Sequence, residues 1–215
     1  DWREENPGVA LDLEGVDLSG AELKECKIRN ANLSGASLAG ASLFRASFAG
    51  ADLTGANLEG ADMGRATLTG ANLAGANLTN VNLYWADVKR ASLRGANLRW
   101  SRVVRACFLS ADLTGADFSL ATMLEVDLRG TDLTNACFQS ANMNGADMDR
   151  AVMTGADFTK AMIRDSMWTM SDMRGANFDQ ASLHRSDLSM AKFDDTTRFP
   201  QGFDPYHTGE KDVLD

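Results

Sequence analysis

The stretch ADLTGANLEGADMGRATLTGANLAGANL, residues 51–78, repeats one five-letter word with small changes, and the period of that word decides the fold. Five fits neither regular periodicity. On an α-helix, residues five apart sit about 140° out of alignment, and on a straight strand an odd period flips the apolar position to the other face at every repeat. Within each word the small residue (Ala51, Ala56) and the large one (Leu53, Leu58) lie two apart, which in extended chain places them on one face. The other three letters must turn a corner. A segment that buries two side chains, turns and repeats is a solenoid, whose coils stack to close a continuous core.

The word runs without insertion from Leu13 through Leu18, Leu23, Ile28 and Leu33 to Phe193, at every fifth residue. All 37 of these central positions hold Leu, Phe, Met, Ile, Val or Trp, and the position two before is Ala in 27 of the 37. Replacements there, such as Cys26, Val81, Ser101, Val126 and Thr131, are small or medium. Proline is absent from 11–195, as expected where backbone N–H groups are needed between coils.

This tandem A(D/N)LxG pattern closely resembles the pentapeptide-repeat protein family over residues 11–195. The resemblance implies an all-β fold, a right-handed quadrilateral β-helix with four pentapeptides per square coil. At about 4.8 Å per coil, about nine coils make a rod of about 45 Å. Residues 1–10 and 196–215 hold all three prolines and no repeat, and are expected to cap the two open ends. A twenty-residue coil has independent support in the second residue of each corner. In the column 15, 35, 55 and onward to 195, eight of ten positions are Gly, against seven of 27 in the other three columns. That column is expected to use a type II turn, with positive φ at its second central residue, and the corners admitting Arg and Trp are expected to turn differently.

The outer position between the two buried ones carries Asp12, Asp17, Asp52 and Asp112, but equally Asn32, Asn57, Ser37 and Thr67. Charge is not what it selects. A short side-chain oxygen that bonds nearby backbone is common to all of them. Fourteen of the thirty acids sit there, so much of the acidity is architectural.

The chain reads as one domain with two short ends. Burying each Leu or Phe contributes about 1.5 to 3 kcal/mol, so Leu73→Asp should be severely destabilising. No apolar run approaches the ~20 residues of a membrane span. Cys26, Cys107 and Cys137 are odd in number and scattered over the faces, unlike a disulfide framework. The start at Asp1 suggests a processed form, and the expected compartment is the cytoplasm, with periplasm or thylakoid lumen as alternatives.

Signals of catalysis are weak, and the chain is not expected to be an enzyme or to carry a cofactor or metal. His184, with Ser182 and Asp187 nearby, reads as an ordinary exposed histidine. Stacked acids, Asp112 with Asp132 and Asp127 with Asp147 and Asp149, are the candidate holders of a hard cation, though solvated ladder residues are the simpler reading. One face departs from the plain pattern. Its corner column reads Glu25, Arg45, Arg65, Trp85, Arg105, Glu125, and the residues before them include Phe44, Tyr84, Val104 and Leu124. Trp100, Arg102 and Leu120 join around the preceding corner, and 84–105 carries six cations against Asp87. Arginines stacked at coil spacing repel by about 0.8 kcal/mol per pair in water, which Trp85 between Arg65 and Arg105 would relieve by cation–π contact. The candidate partner-binding face is therefore Phe44, Arg45, Arg65, Tyr84, Trp85, Trp100, Arg102, Val104, Arg105 and Leu124. A self-satisfied surface ladder is the competing reading, and a nucleic-acid strand is opposed by the net charge of -9. Near the C-terminus Met162, Met167, Met170, Met190 and Trp168 form a second apolar group, over which a tail with Phe199, Phe203 and Tyr206 is expected to fold.

For function, the resemblance implies two readings. Some bacterial members of the family mimic DNA and bind DNA gyrase, which suits a rod of low pI. Removing the ends, however, leaves only -5 on 11–195, with a positive middle. The uninterrupted array and the polar, Pro-containing tail also depart from the quinolone-resistance branch. The tail FDDTTRFPQGFDP is more similar to cyanobacterial and plastid members. The expectation is a non-enzymatic solenoid whose face binds a protein partner or a second copy, with gyrase binding as the alternative.

Overall fold

The computed structural model describes residues 11–206. The expected N-terminal cap at 1–10 and the end of the C-terminal cap, 207–215, lie outside the described residues. Each outer residue forms a parallel bridge to the residue twenty further on, beginning with Asp12 to Asn32 and Asp17 to Ser37 and continuing to Asp172 with Lys192. Four pentapeptides therefore complete one coil, and each coil has four faces. Counting faces along the chain, the first holds the centres Leu13 and Leu33, the second Leu18 and Leu38, the third Leu23 and Leu43, and the fourth Ile28 and Phe48.

Backbone hydrogen bonding explains every letter of the word. In the repeat around Leu33 and its counterparts, the central amide donates to the next coil (Leu33 N to Asp52 O, 2.7 Å), and so does the corner amide (Gly35 N to Thr54 O, 2.9 Å). The outer amide donates to the previous coil (Asn32 N to Leu11 O, 2.9 Å), and the residue after the corner closes the turn (Ala36 N to Leu33 O, 3.0 Å). Only the first corner amide is left, and the outer side chain takes it: Ser34 N donates to Asn32 Oδ1 at 3.1 Å and Thr54 N to Asp52 Oδ1 at 3.0 Å. A buried donor without a partner is costly, so a short oxygen two residues upstream is what the outer position selects. Carboxylate and amide both serve, whereas the outer hydroxyls of Ser37, Ser47 and Ser182, expected to do the same, pair instead with the side chains of Ser19, Arg29 and Arg164 on the coil before.

At two apolar outer residues the bond is replaced from the coil before. Met162 offers no oxygen, and Arg164 N donates instead to Asn144 Oδ1 at 2.9 Å. Met167 is relieved in the same way, with Thr169 N donating to Asp149 Oδ1 at 2.9 Å.

The small and central residues make the core, from Ile28 to Leu188. On the second face Phe118, Phe138, Phe158 and Phe178 stack nearly parallel, with centroids 5.2, 4.8 and 4.8 Å apart, the spacing of the coils themselves. Trp168 meets Phe158 and Phe178 edge-on, each at 5.6 Å, and its indole N–H donates to Ser166 Oγ at 2.7 Å. Serine at 166 thus gives the largest core residue both room and an acceptor. Past 195 the ladder continues after one extra residue, with Asn177 bridging Arg198, so Phe199 lies on Phe178 at 5.7 Å.

The corners differ from expectation. All four columns use positive φ at the second corner residue: Trp85 at 56°, Asn30 at 50° and Leu120 at 63°, beside Gly15 at 63°. One turn type therefore serves every side of the square. The reason is open space, since a Cβ built on Gly20, Gly40 or Gly60, in the column of Trp100 and Leu120, or on Gly70, in the column of Arg90, meets nothing within 4 Å. A side chain there meets no clash, only an intrinsic backbone penalty of about 1 to 2 kcal/mol. The twenty-residue modulation of glycine records which side chain a corner bears, not which turn it makes.

Candidate functional site

The predicted residues come together where the third face turns its corner. The turn points both of its central side chains away from the core, so Tyr84 and Trp85 stand side by side with ring centroids 6.3 Å apart. Trp85 is 50% exposed, and Trp100 and Leu120, at the preceding corner, are 53% and 46% exposed. Phe44 lies over Gly64, whose Cβ, were there one, would come within 3.2 Å of the ring. Glycine at 64 therefore leaves room for the Phe44 ring. Val104 and Leu124 continue the Tyr84 column, half-buried.

Each arginine of the face lies near a ring. Arg65 and Arg105 approach the Trp85 ring at 6.0 and 5.9 Å, and Arg102 approaches that of Tyr84 at 5.0 Å. Arg45 sits over Phe44 at 5.3 Å, and Arg99 over Trp100 at 4.9 Å. The Trp85 ring thus stands between two cations on the same corner and offsets part of their repulsion.

Acids, most of them from neighbouring coils, neutralise much of the basic stretch. Arg105 makes two hydrogen bonds to Glu125, at 2.8 and 3.1 Å, and they hold the Glu125 carboxyl below its ordinary pKa. Arg94 pairs with Asp112 at 3.0 Å, Arg99 with Asp117 at 3.1 Å, Lys89 with Asp87 at 3.4 Å, and Arg45 with Glu25 at 3.3 Å. The positive middle expected from the linear sequence is therefore largely paired. Asp112 and Asp117 lie eighteen residues from their arginines, one coil away, where a linear window does not look.

The other candidates resolve differently. Arg129 bridges Asp127 at 2.8 Å and Asp147 at 3.5 Å, filling the position a cation would take. Burial, with Asp149 and Asp127 beside it, raises the Asp147 pKa. No group of three or more His, Cys, Asp or Glu able to hold a metal occurs among the described residues. His184 is exposed, and Ser182 Oγ accepts a bond from Arg164 Nε at 3.0 Å. Cys26, Cys107 and Cys137 are free thiols, and Cys107 donates to Asp127 at 3.1 Å. Among the described residues no helix is long and apolar enough to cross a membrane. Among the described residues the tail, up to Tyr206, does not cover the methionines as expected. Phe199 follows the core column, Phe203 packs on Phe199 and Tyr206 on Phe193, leaving Met162, Met167 and Met170 at 45%, 46% and 45% exposure. Met190 alone of the four shares a groove with Tyr206, of about 530 Å³. Trp168 belongs to the core rather than to this group.

The family profile described as Pentapeptide repeats matches in eight copies, over residues 11–45, 46–83, 77–119, 111–150, 138–166 and 171–197. Among solved structures, HetL, a pentapeptide repeat protein involved in heterocyst differentiation regulation in the cyanobacterium Nostoc sp. strain PCC 7120, is 24% identical. The match covers 89% of this chain and 92% of that one, with a TM-score of 0.32. QnrB1, a plasmid-mediated fluoroquinolone resistance protein, is 20% identical over 86% of this chain and 91% of its own, with a TM-score of 0.46. A pentapeptide repeat protein of the Arabidopsis thaliana thylakoid lumen is 24% identical over 80% and 70%, with a TM-score of 0.19. No curated protein matches.

Proposed function

The chain belongs to the pentapeptide-repeat family, whose members fold as right-handed quadrilateral β-helices, and from that premise we propose that it is a non-enzymatic scaffold that binds a protein through the Tyr84–Trp85 face. In this reading the rod has about nine coils, is closed at both ends by 1–10 and 196–215, and acts without cofactor. One observation carries it. Trp85 and Trp100 are half-exposed, with Arg65 and Arg105 against the first ring and Arg99 against the second. Trp, Tyr and Arg are the residues on which binding energy concentrates at protein interfaces. The three free thiols support the cytoplasm as the proposed compartment.

Light scattering at several concentrations, on the wild type and on a Trp85→Glu, Trp100→Glu double variant, tests the reading first. A wild-type dimer that becomes a folded monomer in the variant makes the partner a second copy. If both are monomers, a photo-crosslinker placed at Leu124 should capture a protein in the source cells that the same group at Arg174 does not. Equal capture at the two positions, or none, refutes the face.

The gyrase reading draws on the net charge of -9. Against it, many of the acids that make up that charge hold their own corner amides, and the middle of the rod presents arginine. A supercoiling assay with no inhibition at tens of micromolar removes it.

A further inference from the structure

Five guanidinium groups in this region lie over aromatic rings, and they divide into two kinds. Arg45, Arg99 and Arg105 each reach a carboxylate as well as a ring: Glu25 at 3.3 Å, Asp117 at 3.1 Å and Glu125 at 2.8 Å. Arg65 and Arg102 have the ring without the carboxylate among the described residues. They flank one ring pair. The outer positions Asp62, Asn82 and Arg102 bridge in succession, so Arg65 lies on the coil before Tyr84 and Trp85, and Arg102 on the coil after.

We infer that the missing carboxylates are the partner's. The face takes an extended protein segment bearing Asp or Glu, with Arg65 and Arg102 as its two anchors and Tyr84 and Trp85 as the floor between them. This rests on the proposed protein-binding face and specifies the chemistry of what sits there. A ring beneath a guanidinium fixes its plane while leaving the in-plane N–H fork free, and that fork matches a carboxylate with two parallel bonds. The same surface already makes such a pair, Arg105 with Glu125. The two anchors stand two coils apart, about 10 Å. Alternate residues of an extended segment are about 7 Å apart, and flexible Glu side chains reach across the difference.

Charge complementarity selects a short carboxylate segment over a nucleic acid. A phosphate backbone needs a run of uncompensated cations, whereas Arg94, Arg99 and Arg105 are committed within the protein. Two isolated guanidinium groups suit a segment with two acids.

The test uses the full chain and three fluorescein-labelled probes: a peptide of alternating Glu and Ser, its Gln counterpart, and an oligothymidylate of similar length. Anisotropy should show saturable binding of the Glu peptide alone. An Arg65→Gln, Arg102→Gln double variant, checked as folded by circular dichroism, should bind it about tenfold more weakly, while Arg174→Gln should bind as wild type. Equal affinity for the Glu and Gln peptides, or no loss in the double variant, overturns the carboxylate inference and leaves the face standing. Tighter binding of the oligothymidylate, lost in the double variant, overturns both. No saturable binding of any probe at millimolar concentration overturns the inference alone, because crosslinking from Leu124 decides the face separately.

Discussion

Asn144→Ala should weaken the solenoid through an amide twenty residues away, and restoring an oxygen at the outer position occupied by Met162 should cancel the effect. Arg164 N has no outer oxygen from Met162 and donates to Asn144 Oδ1 at 2.9 Å. Elsewhere the same amide is served two residues upstream, as when Ser119 N donates to Asp117 Oδ1 at 2.8 Å. Loss of one neutral hydrogen bond costs about 1 kcal/mol, or about fivefold in the equilibrium between closed and locally open backbone. Hydrogen exchange of the Arg164 amide, followed by NMR, should therefore accelerate about fivefold in Asn144→Ala. In a Met162→Asn background the new side chain takes the amide locally, so Asn144→Ala should change its exchange little, a coupling of about 1 kcal/mol. Unaltered exchange in the single variant, or an undiminished effect in the Met162→Asn background, would refute this account of the outer position.

Leu73 is fully buried, so Leu73→Asp places a charge in the core and should cost more than about 4 kcal/mol, seen as loss of cooperative unfolding by circular dichroism. Gly50→Ala sets a Cβ against Asn30 Oδ1 at a φ of +67° and should lower stability by about 1 to 3 kcal/mol. Asn30→Gly should recover part of that loss in a thermal melt, and no recovery would refute the contact. For acid sensitivity, Arg174 holds Asp172, and Arg105 holds Glu125, below the ordinary carboxylate range. Their folded pKa values lie below the unfolded ones, so their contribution is present above about pH 4 and is lost as pH falls through the lowered values. Asp147, raised by burial, acts in the opposite sense, and Asp147→Asn should raise the melting temperature at neutral pH.

The five-residue period carried most of the fold in plain view. Ala51 and Leu53 already imply extended chain, and the glycines at 15, 35, 55 and 75 already imply a coil of twenty. The corners were less legible, because Arg45 and Trp85 look incompatible with a positive φ until the space around the turn is known. For the face, the same column reading brings Tyr84, Trp85 and Arg65 together. It does not show which arginines are spoken for, because Asp117 and Glu125 approach from other coils and at different offsets, eighteen residues for one pair and twenty for the other. The end of the repeat was hidden by one inserted residue, which carries Phe199 back onto the Phe178 column after the word itself has ceased. The replacement of Met162 by Asn144 as the acceptor was hidden for a related reason. A donor's partner twenty residues back leaves no mark within its own pentapeptide.

The left-handed corners also bear on how such a surface changes through time. Twenty-one corner residues other than glycine hold φ between 50° and 63°, Arg65, Trp85 and Arg105 among them. Each sits in a conformation that glycine would adopt with less strain, at a disadvantage of about 1 kcal/mol. Drift without selection on the exposed side chain should therefore carry these sites toward glycine or asparagine, and the rod would become plainer and more stable as it lost them. Every coil offers four such sites at fixed height and bearing, on a frame whose ladder does not depend on what they hold. A new arrangement of side chains can thus be tried one corner at a time, with the core beneath left as it was.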